Sequence, residues 1–69
     1  MNRIDAQGLS CPEPVILTKK ALHGNNEGLD VIVDNRASLE NVTRYAEAVG
    51  FKVTRKEMGR GVWTLEIRR

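Results

Sequence analysis

The chain has 69 residues, a formal net charge of +2 from 11 Lys and Arg against 9 Asp and Glu, one cysteine and one histidine. That length allows one domain whose helices and strands share a single layer interface, and so small a charge gives no global case for nucleic acid. A lone cysteine excludes an internal disulfide framework and a dithiol redox pair, one cysteine with one histidine makes no convincing zinc site, and no apolar run approaches the roughly 20 residues of a membrane span.

The start, Met1-Asn2-Arg3-Ile4-Asp5, has no apolar signal region, so a reducing, cytoplasmic setting is expected. Arg3-Ile4-Asp5 reads as a short strand leading into the loop Asp5-Ala6-Gln7-Gly8-Leu9-Ser10, where Gly8 supplies turn freedom. Cys11-Pro12-Glu13-Pro14 follows. Proline is tolerated in the first turn of a helix, where its missing N–H has no intrahelical partner anyway. The two prolines therefore predict a helix from Pro12 to His23 with Cys11 at its cap. At about 100° per residue, Pro14, Leu17, Thr18, Ala21 and Leu22 fall on one side with Val15 at the edge. Glu13, Ile16, Lys19, Lys20 and His23 fall on the other, which makes Ile16 an apolar residue on a polar face behind the thiol.

Gly24-Asn25-Asn26-Glu27-Gly28 ends the helix. Leu29 to Asp34 is β-branched, short and bounded by turn residues, the pattern of a buried strand. Asn35 caps a second helix from about Arg36 to Val49, with Leu39, Val42, Ala46 and Val49 as its buried stripe, Tyr45 flanking and Gly50 closing it. Phe51 to Met58 and Val62 to Arg68 form a hairpin around Gly59-Arg60-Gly61. Trp63, Leu65 and Ile67 alternate inward with Phe51 and Val53; Lys52, Thr54, Lys56, Thr64, Glu66 and Arg68 point outward. The order β-α-β-α-β-β predicts an α/β two-layer sandwich: a four-stranded mixed sheet with both helices on one face, in the right-handed crossover sense.

A cysteine at a helix N-terminus gains thiolate character from the free N–H groups and the dipole. Here Pro12 and Pro14 delete two donors and Glu13 brings a negative charge, so a fall from about 8.5 to about 7 in pKa is more than the motif supports. The only histidine, His23, lies about 15–18 Å along the same helix and cannot serve as the base that a cysteine hydrolase needs. Two readings remain: a buried, inert cysteine, as lone cysteines often are, or a presented thiol that receives a group and hands it on, which the helix-tip position between Ser10 and Pro12 favours.

Asp5-x-x-Gly8-Leu9-x-Cys11-Pro12-Glu13-Pro14-Val15 resembles the signature of the TusA/SirA/YedF family of small sulfur-carrier-like proteins. The resemblance runs over essentially the whole chain, and its fold agrees with the pattern read above. It implies that Cys11 carries a persulfide, received from a cysteine desulfurase and passed to a downstream sulfur-relay protein. Asp5, Gly8, Pro12, Glu13 and Pro14 would frame the cysteine. No dissociable cofactor, metal or membrane is implied, and the activity is that of a sulfurtransferase-type carrier rather than a self-sufficient enzyme. The stretch from Asp34 through Glu47 resembles more closely the YedF branch, associated with selenium metabolism. There the domain is often the N-terminal half of a longer protein, so residues 1–69 are one domain that stands alone or belongs to such a protein.

Ile16, Lys19 and Lys20 form a candidate docking patch for an acidic partner surface. An alternative function is a protein- or RNA-binding module that uses a basic sheet face made of Lys52, Arg55, Lys56, Arg60, Arg68 and Arg69. A third is redox sensing through a mixed disulfide at Cys11.

Overall fold

The structure is a computed structural model that describes residues 3–9, 13–23 and 28–68. Six elements follow one another: β1 (Arg3–Asp5), α1 (Glu13–His23), β2 (Leu29–Val33), α2 (Arg36–Ala48), β3 (Lys52–Gly59) and β4 (Val62–Arg68). The four strands form one mixed sheet in the order β1-β2-β4-β3. β1 runs parallel to β2, and the other neighbours are antiparallel. The expected two-layer sandwich is the observed one.

The core follows the alternation of β2 and β4. Leu29, Val31 and Val33 face the helices and are fully buried, as are Leu65 and Ile67. Cα partners share a face, and Leu29↔Ile67 and Val31↔Leu65 are such pairs. Leu22 of α1 and Leu39, Val42 and Ala46 of α2 close the interface, and Phe51 plugs its end. Trp63, Val53 and Tyr45 pack half-buried against it.

The second helix has a defined start and stop. Asn35 is extended (φ −152°, ψ 158°) and its side chain accepts the Ser38 N–H at 2.8 Å, which satisfies one of the orphan donors of the first turn. At the other end the Phe51 N–H donates to the Ala46 carbonyl at 3.0 Å and the Gly50 N–H to the Glu47 carbonyl at 3.1 Å. This is a Schellman closure that turns Phe51 back onto the core. One expectation is corrected here. Val49 continues the apolar period but is 44% exposed, because the helix ends at Ala48 and Val49 is the C-cap (φ −98°, ψ 12°). The helical period no longer applies to a residue outside the helix.

The open face of the sheet carries its own charge pairing. The register sets Asp30 opposite Glu66, two like charges on adjacent strands. Arg68 donates to the Asp30 carboxylate at 2.9 Å and to the carbonyls of Leu29 and Ile67. Lys56 pairs with Glu66 at 3.0 Å. Asp30 is thereby only 6% exposed on the face away from the helices.

The turn between α1 and β2 falls on residues 24–27, outside the described residues. Gly28, which follows, has φ +105°, and a Cβ there would overlap the Ile67 carbonyl oxygen on the neighbouring strand. Gly28→Ala therefore combines a disfavoured φ with a backbone clash, each costing at least about 1 kcal/mol. Thermal unfolding should register a fall in Tm of more than about 10 °C at this domain size.

Candidate functional site

Because β1 and β2 are parallel, their C-terminal ends lie side by side, and each leads into a helix N-terminus. Of the expected framing residues, Asp5, Gly8, Glu13 and Pro14 are described, and they lie at this edge. Cys11 and Pro12 themselves lie outside the described residues, and so does Ser10. The segment that holds them is bracketed by Leu9 and Glu13, both described.

The Asp-x-x-Gly lead-in has a local cause. The Asp5 carboxylate accepts the Gln7 backbone N–H at 3.0 Å and the Gln7 side-chain amide at 3.2 Å, an Asx-type turn. Ala6 is fully buried, and its N–H donates to the Ile32 carbonyl at 2.8 Å, the last backbone bond of the β1–β2 ladder. Gly8 then adopts φ +78° and its N–H donates to the Asp34 carboxylate at 2.9 Å. The Leu9 N–H returns to the Ala6 carbonyl at 3.4 Å.

Asp34 and Asn35, at the β2–α2 junction, form the far side of this loop. The Asn35 side-chain amide donates to the Leu9 carbonyl at 3.5 Å and to the Asp34 carboxylate at 3.3 Å. Its oxygen is occupied by the Ser38 N–H. Sequence reasoning used Asn35 only as a cap and gave Asp34 no role. A signal was present: two cap-type residues stand in succession where one helix needs one.

On α1, Pro14, Thr18 and Leu22 are buried. The Thr18 hydroxyl donates to the Pro14 carbonyl at 2.8 Å, which satisfies a polar group in a fully buried position. Glu13, within the motif, is exposed. Ile16 is 43% exposed, and Lys19, Lys20 and His23 share its outer surface. Among the described residues neither lysine forms an ion pair, whereas Arg55, Lys56 and Arg68 each do.

That contrast corrects the proposed basic sheet face. Arg55 does not belong to it: its register partner is the buried Leu65, and it pairs with Glu40 of α2 at 3.0 Å. Lys56 and Arg68 are on the open face but are tied to carboxylates. Lys52 and Arg60 are exposed, and Arg69 is outside the described residues. Among the described residues there is no group of three His, Cys, Asp or Glu side chains able to hold a metal ion, and no helix is long and apolar enough to cross a membrane.

Comparison with known proteins follows the same outline. The family model described as sulfurtransferase TusA matches residues 2–69. A protein of Methanocaldococcus jannaschii whose provisional name is sulfur carrier protein is 46% identical over 59 residues, covering 83% of this chain and 79% of its own. The crystal structure of a SirA-like protein from Desulfitobacterium hafniense superposes with a TM-score of 0.91 at 39% identity, over 99% of this chain and 96% of that one.

The loop geometry makes one demand on residue type. Among the described residues, its two chain neighbours aside, no atom lies within 4 Å of a Cβ built on Gly8, so there it is the backbone angle that resists substitution. Gly8→Ala should lower stability by roughly 1–2 kcal/mol and Gly8→Asn by less, since asparagine tolerates the left-handed region. Urea denaturation midpoints of the two variants check this order.

Proposed function

The chain belongs to the TusA family, and from that membership we propose that it is a sulfur carrier whose Cys11 accepts sulfur from a cysteine desulfurase and relays it to an acceptor protein. The observation that carries this reading is the family match across residues 2–69, a span that includes the single Cys-Pro-Glu-Pro motif. The loop before that motif is held by backbone N–H groups donating to the Asp5 and Asp34 carboxylates, and α1 after it is anchored by the buried Pro14, Thr18 and Leu22. A short segment held at both ends suits a group that must be offered to a visiting protein.

In the loading step the Cys11 thiolate attacks the terminal sulfur of the donor's persulfide. A new S–S bond forms at Cys11, the donor's S–S bond breaks, and the donor cysteine leaves as a thiolate that takes up the proton Cys11 gave. The exchange is redox-neutral. In the unloading step an acceptor thiolate attacks the outer sulfur, and Cys11 returns to the thiol. Neither step needs a dissociable cofactor, and a reducing compartment such as the cytoplasm keeps the unloaded thiol free.

The outer face of α1 is the docking surface in this reading. Ile16 supplies an apolar contact, and Lys19 and Lys20 supply positive charge that no described carboxylate neutralises. An acidic partner surface is its complement.

Incubation with a cysteine desulfurase and L-cysteine should add the mass of one sulfur atom to the intact protein, and Cys11→Ser should show no adduct. An unmodified wild-type mass with every desulfurase tried would count against the carrier role. Reversing charge at Lys19 and Lys20 together should slow association with the donor by about three- to tenfold at low ionic strength, with the difference shrinking as salt is added. Circular dichroism should report an unchanged fold; stopped-flow rates equal to wild type would remove the patch.

A further inference from the structure

We propose that Asp34 is a positioning residue for the Cys11 thiol, with Asn35 as its brace, because the β2–α2 junction fixes Gly8 and Leu9, the last described residues before it. This role presupposes the relay reading above for what the thiol does; the loop geometry alone supplies how it is held.

In a parallel pair the ladder bonds recur at every second residue. The Ala6 N–H donates to the Ile32 carbonyl at 2.8 Å. Two residues further along each strand, the Gly8 N–H meets the Asp34 carboxylate, at 2.9 Å. The side chain has taken the place of the backbone acceptor where the chain turns out of the sheet. A carboxylate reaches beyond the strand end, so the loop stays tied while β1 has already ended at Asp5.

Among the described residues nothing else asks for an acid at this position. Asp34 is exposed, so packing does not require it. The helix cap is supplied by Asn35, whose oxygen accepts the Ser38 N–H. That bond also fixes which way the Asn35 amide faces. Its nitrogen is left to donate to the Asp34 carboxylate and to the Leu9 carbonyl, two residues before Cys11. Asp34 and Asn35 together thus hold an N–H of Gly8 and a carbonyl of Leu9 across 26 positions of sequence.

Transfer of a sulfur between two proteins requires the attacking and leaving sulfurs to align closely, and a displacement of about 1 Å can cost on the order of 100-fold in rate. A segment whose starting point is fixed satisfies that demand; one released at Gly8 and Leu9 does not. Asp34→Asn keeps an oxygen acceptor for the Gly8 N–H and loses the charge. Asp34→Ala loses both.

The test compares the full chain with Asp34→Ala and Asp34→Asn. The first measurement is the second-order rate of Cys11 loading by a cysteine desulfurase with L-cysteine, at a temperature where all three are folded by circular dichroism. Asp34→Ala should load at least about tenfold more slowly, and Asp34→Asn should stay within about threefold of wild type. The pH profile of Cys11 alkylation by iodoacetamide, a small reagent indifferent to docking geometry, should be the same for all three. The second measurement needs no donor. Asp34→Ala should speed hydrogen exchange at the Gly8 amide by about tenfold or more and shift the Ser10 and Cys11 backbone resonances, while Asp34→Asn leaves both near wild type. Wild-type loading by Asp34→Ala overturns the role. Equal slowing in both variants with a displaced alkylation profile overturns it in favour of a charge effect. If the wild type itself takes no sulfur, the relay reading fails, and the amide exchange and resonances alone decide the positioning: unchanged values in Asp34→Ala overturn it.

Discussion

Burial of one apolar face is the constraint on which the rest of this molecule depends. Leu29, Val31 and Val33 of β2 and Leu65 and Ile67 of β4 are fully removed from solvent, each stabilising the fold by roughly 1.5–3 kcal/mol relative to exposure. A chain of this length has room for only one such interface, and the strand order follows from it. The two strands with complete inward faces take the centre, and β1 and β3 become edges. Both edges are poor templates for further pairing. β1 has three residues, and β3 carries Lys52, Arg55 and Lys56 and is broken by a register shift between Glu57 and Gly59.

The same interface fixes where chemistry can sit. Both helices must lie on the buried face, and both follow parallel strands, so their N-termini arrive at one edge of the sheet. The core holds α1 through Pro14, Thr18 and Leu22, while the loop before the cysteine is held by polar bonds from Asp5, Asp34 and Asn35. These two kinds of restraint differ in scale. A hydrogen bond of this type contributes about 0.5–1.5 kcal/mol net, more when one partner is charged, and can open without global unfolding. The edge of the molecule can thus adjust while the layer beneath it stays intact.

Most of the architecture was legible because it is written in local patterns. The apolar run at Leu29 to Val33, the cap at Asn35 and the alternation through Trp63, Leu65 and Ile67 each carry a period or a punctuation mark that needs no distant partner. The misreadings occur where that condition fails. Val49 keeps the helical spacing, but the Schellman closure that ends α2 one residue earlier is decided by Gly50 and Phe51. Arg55 was grouped with the basic residues by its charge, although counting by twos from Val53 places it on the helix side, where Glu40 meets it. Asp30 owes its burial to Arg68, 38 positions away, and Asp34 owes its role to Gly8, 26 positions away. The first relation leaves no mark in the neighbouring sequence, and the second leaves only the doubled cap-type residues Asp34-Asn35. The motif around Cys11 was legible as a helix start through Pro14, which is buried in the first turn of α1.

The distribution of charge separates the two faces of the sandwich. On the sheet side, like charges forced opposite one another by the register, Asp30 and Glu66, are answered by Arg68 and Lys56, so these four groups are neutralised from within, and Lys52 is left exposed on the edge strand. On the outer side of α1, Lys19 and Lys20 keep their charge unanswered among the described residues, beside the exposed Ile16. An internally paired surface has little to offer a charged partner, because docking there must first break bonds already made. An unpaired one attracts at a distance of about a Debye length, some 8–10 Å at ordinary salt. Two lysines and one isoleucine are also a small patch, in the range of contacts that form and part readily rather than of permanent interfaces. For a carrier of the kind proposed, visited by a donor and then by an acceptor, weak attraction on the face that adjoins the motif is what allows one surface to serve both in turn.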